Sequence, residues 1–116
     1  MRHTKIHKQT IEFITNILNR RGIQTQEIKE KNELTWVKSR IYILAIVNTM
    51  NIKFLISIFI YETKENKDKN SVRIIISVPG GKYYHKEFNI SEYKSFEHYL
   101  NAIQNELDNI LNLLNI

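Results

Sequence analysis

Cysteine is absent from the 116 residues, which excludes disulfides, thiolate metal sites and thiol nucleophiles. That absence is compatible with a reducing compartment, and cytoplasmic residence is the expectation. One proline and three glycines leave few places where a helix or strand is obliged to break. The first dozen residues, MRHTKIHKQTIE, lack the apolar stretch of a secretory signal. Gly/Ser linkers, low-complexity tracts and internal repeats are missing too. A single domain over residues 1–116 is therefore expected, large enough to bury a core without metal or disulfide support.

Acidic residues are outnumbered, 12 Asp and Glu against 17 Lys and Arg, giving a net charge of +5. With 20 Ile, 13 Asn and 12 Lys the composition carries the bias of an AT-rich genome, so part of this basicity is compositional drift. Its distribution is more informative. Residues 1–40 hold nine Lys or Arg against four acids, whereas residues 82–116 hold three against five. A basic N-terminal region and a mildly acidic C-terminal helix follow.

One long apolar run, Ile41 to Tyr61, approaches the length that a bilayer requires. Asn48, Thr49, Asn51 and Lys53 interrupt its middle, and a charge at bilayer depth costs at least ~2.5 kcal/mol. The run is read as two strands joined by a turn, with no membrane span.

Apolar periodicity organises the rest. Ile6, Phe13, Ile14, Ile17 and Leu18 recur at helical spacing over Lys5 to Arg21, with Thr4 as a cap and Gly22 as a left-handed terminator. Ile23 to Lys29 suits a short edge strand. Trp36 to Val47 and Ile52 to Tyr61 then form a hairpin around NTMN; a turn at Thr49 and Met50 would pair Val47 with Ile52. ETKENKDKNS, Glu62 to Ser71, reads as a charged loop. Val72 to Val78 and Tyr83 to Ile90 are strands separated by PGGK, a turn rather than a phosphate loop, which would need a further glycine and a Ser or Thr. The last helix starts near Ser91 or Ser95, and Phe96, Leu100, Ile103, Leu107, Ile110 and Leu114 make its apolar seam, widened by Leu111, Leu113 and Ile116. That seam suits packing on the sheet, with a dimer seam as the alternative. The expected fold is α+β, an antiparallel four- to five-stranded meander flanked by an N-terminal and a C-terminal helix.

Alternation in the hairpin separates two faces. One is uniformly apolar: Ile41, Ile43, Ala45 and Val47 with Ile52, Phe54, Ile56, Ile58 and Ile60. The other mixes rings and cations, with Trp36, Lys38, Arg40 and Tyr42 beside Phe59 and Tyr61, and Arg73 on the next strand. Rings with cations between them suit single-stranded nucleic acid, since bases stack on flat side chains while cations track phosphates. Lys5, Lys8, Arg20 and Arg21, with Arg2, His3 and His7, would add a basic arm. Leu44, Ile46, Leu55 and Ile75 share the mixed face and argue that the last helix or a second copy covers it. The leading expectation is thus a small basic nucleic-acid-binding protein. The alternative is a protein-interaction module, a homodimeric adaptor or inhibitor, using the same face or the C-terminal helix.

Catalytic signals are sparse. Glu62 and Lys64 in YETK resemble the Glu-any-Lys element of the PD-(D/E)XK nuclease family, which implies carboxylates holding Mg²⁺ and a lysine supporting the attacking water. The resemblance spans three or four residues and departs from the family where an upstream aspartate belongs. Asn48 holds the matching strand end, with Glu12 as a further carboxylate. His3 and His7 have the i, i+4 spacing of metal ligands but no third partner in view, and His85 reads as a surface histidine. Asp68 and Asp108 offer no serine triad. No catalytic residue, metal or cofactor is expected.

Overall fold

The computed structural model describes residues 5–30, 37–49, 52–63, 70–78 and 83–114. Helix α1 (Lys5–Arg20) leads into strands β1 (Gln26–Glu30), β2 (Val37–Thr49), β3 (Ile52–Thr63), β4 (Asn70–Ser77) and β5 (Tyr83–Asn89); a 3-10 turn and helix α2 (Phe96–Leu113) follow. Each strand pairs antiparallel with its chain neighbour, in the order β1-β2-β3-β4-β5. The architecture is α+β with an antiparallel sheet, as the apolar periodicity predicts.

Helix α1 ends where expected: Gly22 adopts φ 77°, and the Ile23 amide donates to the Leu18 carbonyl at 3.0 Å. Only glycine takes that left-handed conformation without steric penalty. At α2, Ser95 rather than Ser91 is the cap, its hydroxyl accepting from the His98 amide at 3.1 Å. Ser91 lies inside the 3-10 turn, which Asn89 caps. Thr4, the expected cap of α1, lies outside the described residues.

Both helices pack on one side of the sheet. Ile56, Ile58 and Ile60 of β3 and Val72, Ile74 and Ile76 of β4 are buried against Ile11, Ile14, Ile17 and Leu18 of α1 and Tyr99, Ile103, Leu107, Ile110 and Leu111 of α2. Each such aliphatic side chain contributes roughly 1.5–3 kcal/mol through loss of contact with water. In α2, Ile103, Leu107 and Ile110 of the expected seam are buried together with Leu111, and Tyr99 joins them, whereas Phe96, Leu100 and Leu114 are only partly buried and Leu113 is 82% exposed.

The hairpin register differs from the expected one by two residues. Thr49 pairs with Ile52, Val47 with Phe54 and Ile43 with Ile58. Thr49 therefore belongs to the paired strand rather than to the turn. Because strand periodicity is two, a two-residue slip exchanges partners but preserves both faces. The expected loop at Glu62 to Ser71 is also shorter. Glu62 pairs with Asn70, extending β3 and β4, and the two side chains are 2% and 1% exposed.

Candidate functional site

The β3–β4 surface turned away from the helices is the candidate site. Burial along β4 alternates without exception from Asn70 to Ser77, and the half-buried set is Ser71, Arg73, Ile75 and Ser77. Neither helix lies over this face, so the expectation that α2 crosses it is corrected. Tyr99, Ile103 and Leu107 are committed to the opposite side, where β3 and β4 present Ile56, Ile58, Ile60, Val72, Ile74 and Ile76.

At the centre of the open face, Phe59 and Tyr61 are half-buried and stacked, with ring centroids 6.3 Å apart and planes 14° from parallel. Strand alternation brings these i, i+2 side chains to one side. Arg73, whose backbone pairs with Phe59, places its guanidinium carbon 5.8 Å from the Tyr61 ring centroid. In backbone register Tyr42 is opposite Phe59, and Arg40 is opposite Tyr61. Five ring-bearing or basic positions thus adjoin on three consecutive strands. Exposed Lys53 and Leu55 lie further along β3, and Ser57 between them and the rings is buried.

Other expected site residues are distributed differently. The β2–β3 pairing shifts between Val37 and Ser39, a bulge that takes Lys38 out of the simple alternation linking it to Arg40 and Tyr42. Trp36 lies outside the described residues. Lys5, Lys8 and Arg20 are exposed, but they belong to α1 behind the sheet, and the two ends of a helix this length stand ~24 Å apart. His7 is fully buried rather than part of a solvated arm. Arg21 donates to Asp108 and to Asn112, each at 3.0 Å, tying the end of α1 to α2. Arg73 is also engaged, donating to Glu87 at 3.0 Å.

Among the described residues the nuclease-like pattern is not assembled. Asn48 pairs with Lys53 at one end of β3, and Glu62 lies nine positions away, about 30 Å along the strand. In an antiparallel hairpin, the ends of consecutive strands fall at opposite edges. Lys64 is outside the described residues, and Glu12 is exposed on α1. Among the described residues, no group of three or more His, Asp or Glu is placed to hold a metal ion. His85 is exposed on β5, in keeping with its reading as a surface histidine.

Sequence reasoning missed a second set of polar groups. Tyr84 on β5 donates its hydroxyl to the Glu106 carboxylate on α2. Burial, then this hydrogen bond and charge, push the Tyr84 phenol well above its ordinary range. Tyr99 is completely buried beside Tyr93 and Phe96, and burial raises its phenol similarly. Partial burial and nearby Glu92 and Glu106 also raise Tyr93. The available signal for Tyr84 was alternation along β5, which places Tyr84 with Phe88; nothing local pointed to Glu106, 22 residues away.

No protein-family model, curated protein or solved structure matches this chain. Among the described residues no helix is long and apolar enough to cross a membrane.

Proposed function

We propose that this protein binds single-stranded nucleic acid on the open sheet face. The supporting observation is the continuity of Arg40, Tyr42, Phe59, Tyr61 and Arg73 across three paired strands, with both helices on the other side. Stacked Phe59 and Tyr61 offer flat apolar surface to bases, and Arg73 and Lys53 provide cations for phosphates. Lys5, Lys8, Arg20 and Arg21 act only through the long-range field, because they belong to the helix layer.

The test is titration of the protein with short oligothymidylates at two salt concentrations, followed by Trp36 fluorescence and by anisotropy of a labelled strand. Affinity should fall steeply with added salt, and Phe59→Ala or Tyr61→Ala should weaken binding by ~1–3 kcal/mol. Absence of binding at low salt would overturn the proposal.

A second reading, a homodimer through the same face, draws on Leu55, which is 37% exposed, half-buried Ile75 and the Arg73 charge already opposed by Glu87. Light scattering separates the two: a particle of twice 13.9 kDa, unchanged by salt and without oligonucleotide binding, is the dimer's signature.

A further inference from the structure

An apolar cleft of about 420 Å³ opens between the last two turns of α2 and the adjoining ends of β3, β4 and β5, on the helix side of the sheet. Its volume falls within the roughly 300–1,000 Å³ of small-molecule sites. Phe54, Ile76, Val78 and Ile110 form its body, and Leu113 and Leu114 its outer wall. Leu113, 82% exposed, stands out as a large apolar side chain left to solvent beside the apolar groove.

Among the described lining residues the one charged group is acidic. Glu106 presents a carboxylate oriented by the Tyr84 hydroxyl, with Asn109 one turn further along the helix. None of the described lining residues is Lys or Arg. The cleft also lies against the C-terminal end of α2, where the helix dipole is negative and the last turn carries no basic side chain. Arg21 of α1 already meets that end through Asp108 and Asn112, so it is the Glu106 carboxylate that favours a cation in the cleft, while the surrounding walls favour hydrocarbon.

We propose that this cleft binds a small amphiphile with an aliphatic tail and a primary ammonium head. The tail fills the groove between Phe54, Ile76 and Ile110. The head donates hydrogen bonds to Glu106, whose second interaction with Tyr84 fixes the carboxylate. Carboxylate-headed amphiphiles of equal length are rejected by the same charge.

The experiment uses the full chain and three probes of matched length: octylammonium, octanol and octanoate, with methyl NMR as the readout. Octylammonium is expected to shift Ile110, Leu113 and Leu114 methyls and to bind at least about tenfold more tightly than octanol, with octanoate weakest. Glu106→Gln retains an acceptor for Tyr84 and should remove about tenfold or more of octylammonium affinity and distinctly less of octanol affinity. Leu113→Asn alters an exposed position and should weaken octylammonium and octanol together. Equal affinities for octylammonium and octanol, insensitivity to Glu106→Gln, or shifts confined to methyls outside the cleft would each overturn the proposal.

Discussion

The two faces of β3 and β4 are built from alternate residues of the same strands, yet their surroundings differ sharply. Ile56, Ile58, Ile60, Val72 and Ile74 are almost completely buried under the helices, whereas Phe59, Tyr61, Arg73 and Ile75 are partly accessible. The helix-covered face is mainly aliphatic and shape-filling, with Glu62 and Asn70 buried at its end. The open face contains rings, hydroxyls and a guanidinium, groups that retain favourable interactions with water or a polar partner. One pleated segment therefore serves both as core and as candidate binding surface, and substitutions one residue apart should have different consequences.

The largest expected contrast is between neighbours on β4. Ile74→Ala should destabilise the fold by about 2–5 kcal/mol in urea denaturation, through lost burial and a residual cavity. Ile75→Ala should change stability by less than ~1 kcal/mol in the monomer. Comparable losses at both positions would mean that the open face is packed against a partner in solution.

Alkaline unfolding probes the covered side. Burial raises the Tyr84 and Tyr99 phenols above their ordinary value of 10.0, so their stabilising contribution is complete below about pH 10. As pH rises beyond that value, the unfolded chain releases these protons first and stability falls. Tyr99→Phe should flatten this fall, read as the urea midpoint against pH; an unchanged slope would assign the alkaline transition elsewhere.

A smaller effect concerns Asn70, which is 1% exposed on the covered side, with neither its amide nitrogen nor its carbonyl oxygen hydrogen-bonded among the described residues. Replacing it with an apolar residue of similar size relieves an unmet desolvation penalty. Asn70→Leu should raise stability by about 1 kcal/mol, and a loss of that size would show that its polarity is needed.

The smallest stability change is predicted on the open side. The Arg73–Glu87 bridge is solvent-accessible, so Glu87→Gln should alter stability by no more than ~0.5 kcal/mol. The same change releases Arg73 for phosphate and should tighten oligonucleotide binding with a steeper salt dependence. Unchanged affinity would remove Arg73 from the interface.

Much of this architecture is legible locally. The Gly22 terminus, the Ser95 cap and the two hairpin faces each follow from residues a few positions apart, where backbone sterics and side-chain alternation act directly. Phe59, Tyr61 and Arg73 were legible as one surface for the same reason. The hairpin register was not, because two turns related by a two-residue slip satisfy the same apolar pattern. The bulge at Lys38 breaks an alternation that the residue pattern leaves intact.

The sequence by itself determined the element types and the division of each central strand into an oily and a mixed face, since both depend on short-range periodicity. Only the tertiary structure decided that both helices take the oily face, that Arg21 is drawn to Asp108 and Arg73 to Glu87, and that Tyr84 meets Glu106. Those outcomes join residues 14 to 87 positions apart, so they follow from how whole elements pack and where the chain turns.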